Sequence, residues 1–175
     1  MNRRRRARGR PEPGRSARKA WKRVRGSIEP IQSRGIHHLD LVVSDVECSR
    51  GFYSHLLRLL GWGGVLELTG ERGETIWYLQ AHDTWLGLRR KQSDAHPVPY
   101  DRYAVGVHHV AFEAPSREAV DECWEWVLTQ GVQTESAPKE FPHYVPGYYA
   151  AFFYDPDGIK LEVVHEPTRA ATTSD

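Results

Sequence analysis

The sequence predicts an α+β fold made of two tandem βαβββ modules, and three observations predict it. Gly35-Ile36-His37-His38-Leu39 recurs as Gly106-Val107-His108-His109-Val110, an offset of 71 residues. Each copy leads into a strand-like run, then a run of helical period, then further strand-like runs. A stretch at 92–101, holding Pro97 and Pro99, separates the halves. Self-similarity of this kind marks a duplicated supersecondary unit that buries its apolar face against its copy.

The first module spans about 35–91. Its first strand covers 39–43. Ser44 and Asp45 are good N-cap residues, and Ser44 with Glu47 fits a capping box. Phe52, Leu56, Leu59 and Leu60 then repeat at helical spacing, and Gly61 ends the helix. Strands follow at 65–68, 75–80 and 84–89, broken by the turns at 70–73 and 81–83. The second module spans about 102–168. Ser116 caps its helix, Val120, Cys123, Trp124 and Val127 form the apolar stripe, and Gly131 ends it. Strands follow at 132–135, 148–154 and 159–165. Asp155-Pro156-Asp157-Gly158 is a strong turn signal, because Pro fixes φ and Gly is free to take φ > 0.

Composition sets the class. The 175 residues are 39% hydrophobic and 11% aromatic, which suits one globular domain at 35–168. No run of 18 apolar residues exists, so no membrane span is expected, and no apolar N-terminal run suggests a secretory signal. Cys48 and Cys123 both fall on expected helices. Two isolated thiols form no disulfide framework, so both are read as inert in a reducing cytoplasm. Charge is uneven. Residues 1–35 hold 13 Lys and Arg against Glu12 and Glu29, whereas the rest holds 11 basic and 21 acidic groups. Segment 1–34 is therefore expected to be a disordered basic tail, and 169–175 a short C-terminal tail. The plainest reading of this tail is a solvated, dispensable extension; the alternatives are a transit peptide or a basic arm for an acidic membrane or nucleic acid, and any nucleic-acid binding would be non-specific and salt-sensitive. Trp21 is its one aromatic residue, so it offers no stacking platform.

Three motifs carry a resemblance over residues 35–166. They are His38-Leu39-Asp40-Leu41-Val42-Val43-Ser44-Asp45 with Phe52-Tyr53, then His109-Val110-Ala111-Phe112, then Asp155-Pro156-Asp157-Gly158-Ile159-Lys160-Leu161-Glu162-Val163. They resemble the vicinal-oxygen-chelate superfamily. It includes glyoxalase I, extradiol ring-cleaving dioxygenases, fosfomycin-resistance thiol transferases and bleomycin-binding proteins. The resemblance implies that the modules lie side by side, helices outside, their strands a curled mixed sheet around a metal-binding cleft. It also implies a homodimer.

Histidines at equivalent positions of a duplicated module face each other if an approximate two-fold relates the copies. Successive strand residues point to opposite faces, so only one of His37 and His38 faces the cleft, and only one of His108 and His109. The resemblance selects His38, and the repeat then selects His109. It also places the third ligand at Glu162. Two imidazoles and a carboxylate form a facial set with open positions, suited to Fe(II), Mn(II), Ni(II), Co(II) or Zn(II). Glyoxalase I takes a fourth ligand from the segment matching 84–89. That position here is Gly87, which has no side chain, so a three-ligand site is expected.

Further candidates have two readings each. His143, 19 residues before Glu162, matches an acid–base histidine of the extradiol enzymes, or is a solvent loop residue. Those enzymes have a tyrosine where Phe152 stands, and Tyr148 or Tyr154, of the same parity, would then reach the cleft. Glu113 and Asp40 share parity with the metal histidines and serve as general bases or as rim charges. Arg89 holds an anionic substrate group or a surface ion pair. The resulting expectation is a metal-dependent enzyme, dioxygenase-like or lyase-like, acting on a small oxygenated substrate. The alternatives are a thiol transferase of the fosfomycin-resistance type and a non-catalytic antibiotic-binding protein.

Overall fold

Strand β1 (His38–Val43) buries Leu41 and Val43 and leaves His38 and Val42 exposed, the alternation of a one-sided strand. Helix α1 (Val46–Leu59) follows at once. Its N-cap is Asp45, whose Oδ1 accepts from the backbone N–H groups of Glu47 and Cys48. The expected Ser44–Glu47 capping box does not form. Ser44 instead donates its backbone N–H to Asp157 in the other module, at 3.0 Å. Gly61, at φ 81°, ends the helix in the left-handed conformation. Strands β2 (Val65–Thr69), β3 (Thr75–Ala81) and β4 (Thr84–Arg90) form an antiparallel meander. β4 then lies parallel to β1, giving the order β1-β4-β3-β2. A parallel pair needs a long crossover, which α1 supplies. The computed structural model describes residues 35–81, 83–95 and 100–167. The expectations for 1–34 and 169–175 concern residues outside that set.

The second module repeats the plan with β5 (Val110–Glu113), α2 (Arg117–Thr129), β6 (Thr134–Glu140), β7 (Tyr149–Tyr154) and β8 (Lys160–His165), in the order β5-β8-β7-β6. Ser116 caps α2 as expected, its Oγ accepting from Ala119 N–H. β6 runs five residues past the expected end and through Pro138. It can do so because it is an edge strand, where proline's missing donor is tolerated, and its register shifts between Ser136 and Lys139, across that proline.

The described residues thus form an α+β architecture, with two four-stranded mixed sheets and two helices. The modules meet helix to helix: Phe52 and His55 of α1 lie against Trp126 of α2, the His55 and Trp126 rings stacked at 4.7 Å. One core joins Leu56, Leu57 and Leu88 of the first module to Val120, Phe153 and Leu161 of the second. Side chains of this size each stabilise by about 1.5–3 kcal/mol when fully buried. Cys123 belongs to this core, and burial pushes its thiol up to about 12, which keeps it unreactive; Cys48 is exposed. Among the described residues, no helix is long and apolar enough to cross a membrane.

Candidate functional site

β8 puts Leu161 and Val163 into the core, so Lys160, Glu162 and Val164 take the face turned away from the helices. Phe152 lies opposite Glu162 and Ala150 opposite Val164 on β7. Together with Phe141 and Tyr148 they make a second, smaller apolar cluster on this face. Glu162 is only 3% exposed there. A carboxylate so placed needs partners, and it has two. The Tyr148 hydroxyl donates to Oε1 at 2.6 Å, and His109 Nε2 lies 3.1 Å from Oε2. Burial first, and then the Glu162 carboxylate, raise the Tyr148 pKa well above the ordinary phenol value, which keeps it a donor. His109 immediately precedes β5, the strand beside β8, so the duplicated motif and the late-strand motif do meet here.

His38 lies elsewhere. It opens β1 in the other sheet, exposed, with its ring edge-on to Tyr78 at 5.9 Å. Among the described residues no group of three His, Cys, Asp or Glu side chains is placed to hold a metal ion. Within one chain His109 meets Glu162, and the ring contacts of His38 are with His37 and Tyr78. β1 and β5 are edge strands of separate sheets.

Tyr148 meets Glu162, as above. Tyr154 donates to Glu135 on β6. His143 sits in the exposed loop between β6 and β7, against the rings of Tyr144 and Phe141. Glu113 lines an open cavity of about 570 Å³ between the modules, walled by Leu39, Trp62, Leu86 and Phe112; His109 and Glu162 are not among its lining residues. Asp40 pairs with Arg89 at 2.8 Å and accepts from Tyr78. Arg89 also binds Glu71 and Glu74, so it stands in an ion-pair network. Gly87 has a steric reason: a Cβ there would collide with Asp40 Oδ1 and lie 2.7 Å from the Tyr78 ring.

A cluster that the sequence reading passed over lies beside Glu162. Lys160, two residues earlier and on the same face, is buried and places Nζ 2.7 Å from Glu135 Oε1. Arg102, from the segment before β5, reaches Glu135 Oε2 at 2.6 Å and also donates to the Tyr154 and Tyr103 hydroxyls. Burial alone would raise the Glu135 carboxyl, but hydrogen bonds from Lys160, Tyr154 and Arg102 outweigh it and hold it at about 2. Lys160 was findable by its two-residue spacing from Glu162; Arg102, in a segment without periodicity, gave no signal.

Residues 35–163 match the Glyoxalase/Bleomycin resistance protein/Dioxygenase superfamily. The chain is 32% identical to the uncharacterized protein YqjT of Bacillus subtilis (strain 168) over 135 residues, 74% of this chain and 97% of that protein. Its fold is similar to that of a glyoxalase family protein from Enterococcus faecalis, with a TM-score of 0.55 at 28% identity, covering 75% of this chain and 97% of that one. It is also similar to a mutant of the genomically encoded fosfomycin resistance protein FosX from Listeria monocytogenes, complexed with Mn(II) and 1S,2S-dihydroxypropylphosphonic acid. There the TM-score is 0.53 at 17% identity, covering 81% of this chain and all of that one, a likeness of fold. With a duplicated βαβββ unit and a family match over most of its length, the chain belongs to the glyoxalase/bleomycin resistance protein/dioxygenase superfamily.

Proposed function

We propose that the protein is a divalent-metal-dependent enzyme acting on a small oxygenated substrate, lyase-like or dioxygenase-like. The observation that carries this reading is the His109–Glu162 pair on the apolar face of β8. An imidazole and a carboxylate 3.1 Å apart suit a divalent cation of the Mn, Fe, Co, Ni or Zn series. Tyr148 spends its hydroxyl on Oε1 of Glu162, which fixes the carboxylate and leaves Oε2 toward His109. Phe152 and Val164 keep bulk water from that side. In this reading His38, exposed on the edge strand of the other sheet, is the third ligand and comes from a second copy of the chain. A cation held there supplies Lewis-acid polarisation of neighbouring substrate oxygens.

A purely drug-binding protein has no use for a buried glutamate clamped between a tyrosine and a histidine, because the burial is costly and the clamp adds no apolar surface. A thiol transferase remains the second enzymatic alternative, separated from the first by substrate. Elemental analysis of the purified full chain tests the reading. Stoichiometric metal is expected, lost in His38→Ala, His109→Ala and Glu162→Ala. Co-expressed His38→Ala and Glu162→Ala chains regain one site per mixed pair, because one intact His38 then meets one intact Glu162. Metal retained in all three single variants overturns the proposal. Assays with 1,2-diols, catechols, α-ketoaldehydes plus thiol, and epoxides plus thiol then assign the reaction.

A further inference from the structure

We propose that His108 and His37 are positioning residues: each accepts the Nδ1–H of its neighbour, His109 or His38, and so presents that neighbour's Nε2 as a bare ligand nitrogen. This rests on the reading of His38, His109 and Glu162 as the metal centre, and it gives the first histidine of each repeated pair a task.

Both pairs have the same geometry. His108 Nδ1 lies 2.8 Å from His109 Nδ1, with the ring centroids 5.0 Å apart and the planes at 81°. His37 Nδ1 lies 3.0 Å from His38 Nδ1, with the centroids 5.2 Å apart and the planes at 86°. In each pair the centroid separation is the nitrogen separation plus two ring radii laid end to end. The two nitrogens therefore point straight at each other. That is the alignment of an N–H···N hydrogen bond, not of two lone pairs converging on an ion between them.

The strand pleat does not hold these rings apart. His37 stands one residue ahead of β1, and His108 and His109 both stand ahead of β5, so the alternation of faces along a strand does not apply within either pair. The backbone is instead pinned at matching places in the two copies. In the first module Thr84 Oγ1 donates to Ile36 O at 3.1 Å, and the Trp85 backbone N–H donates to His37 O at 3.0 Å. In the second the Tyr100 hydroxyl lies 2.8 Å from Val107 O and 2.9 Å from His108 O. Ile36 and His37 are the counterparts of Val107 and His108 in the repeat, so different residues fix the same two carbonyls in each module.

One hydrogen fills each gap between Nδ1 atoms, and the metal reading decides which ring carries it. His109 Nε2 faces Glu162 Oε2 at 3.1 Å. A nitrogen that ligates a cation carries no hydrogen, so a neutral His109 keeps its hydrogen on Nδ1. That N–H aims at His108 Nδ1, which accepts it and leaves the hydrogen of His108 on Nε2. Such a bond fixes the orientation of the ligating ring and raises the basicity of its Nε2. Tyr103, edge-on to the His108 ring at 5.6 Å, backs the acceptor in turn. His37 serves His38 in the same way.

The test uses the full chain with isotope-labelled histidine and Zn(II) as the probe. Imidazole nitrogen NMR of the zinc-loaded wild type is expected to show the hydrogen of His109 on Nδ1 and that of His108 on Nε2, and the same division between His38 and His37. His108→Leu removes the acceptor. It should weaken zinc binding about 10–100-fold in competition with a chromophoric chelator, with zinc content at saturating metal and circular dichroism unchanged. His108→Asn, whose Oδ1 takes the place of Nδ1, should recover most of that loss. His37→Leu and His37→Asn should behave alike. A hydrogen on Nε2 of His109 in the zinc-loaded wild type overturns the inference, even where a variant fails to fold. Zinc affinity equal in wild type and both Leu variants does the same, as do Asn variants that bind no better than the Leu variants. In those three cases zinc is retained and the metal reading stands. Absence of zinc from wild type overturns the metal reading and this inference with it.

Discussion

The hydroxyl of Tyr53, on α1, donates to Oδ2 of Asp155 at 2.8 Å, a bond between residues 102 positions apart that ties the first module's helix to the second module's turn. Both side chains are buried, Tyr53 at 0% and Asp155 at 3% exposure. Asp155 Oδ1 meanwhile accepts from the backbone N–H groups of Asp157 and Ile159, and closes the turn. The Asp-Pro-Asp-Gly motif is therefore a fastening between modules as well as a turn.

Tyr53→Phe removes a side-chain donor to Oδ2 and leaves a buried carboxylate less well satisfied. Denaturant unfolding should show a loss of about 1–3 kcal/mol. Stability unchanged within a few tenths would mean that this bond does not fasten the modules.

Burial, the largest cause, raises the Asp155 pKa above the ordinary carboxylate value, against its hydrogen bonds. The unfolded chain then releases its proton first as pH rises. Between the ordinary carboxylate value and the raised folded value the native state binds more protons, so this group's contribution makes stability fall with rising pH. Asp155→Asn should flatten that fall, measured as a difference in unfolding free energy across pH 4 to 7. A steeper fall in the variant would reverse the sign.

Glu135 works in the opposite sense. Held at about 2, it contributes stability that is fully present above the ordinary glutamate value and is lost as pH drops toward 2. Glu135→Gln should lower Tm at pH 7 and narrow the gap between pH 7 and pH 3. Parallel pH curves for the two proteins would contradict this.

Tyr148 reaches the candidate metal centre through Glu162. Tyr148→Phe should weaken metal affinity by about 10–100-fold, as removal of a residue that orients a ligand does, while leaving the fold intact by circular dichroism. Affinity unchanged in a competition assay with a chromophoric chelator would count against that role.

Gly87→Ala should destabilise by about 1–3 kcal/mol, because the added Cβ must displace the Asp40 carboxylate and the Tyr78 ring. Thermal unfolding reads it directly, and an unaltered Tm would show that Asp40 moves aside freely.

Much of the architecture was legible in the chain. Repeated glycine–histidine motifs, two helical stripes bounded by caps and glycines, and turn residues between short runs are local signals, set by backbone sterics and side-chain period. They give the modules, the element order and the meeting of His109 with Glu162, whose strands pair within one module. Lys160 could be placed on the face of Glu162 by the same alternation. Tertiary structure alone decided how the modules sit against each other. Phe52 and His55 found Trp126, so helices fill the boundary between the sheets and His38 is left on an outer edge. It also chose Asp157 over a local capping box as the partner of Ser44 N–H, and brought Arg102 to Glu135. These are contacts between residues distant in sequence, fixed by shape and charge complementarity across surfaces, and no period or spacing along the chain encodes them.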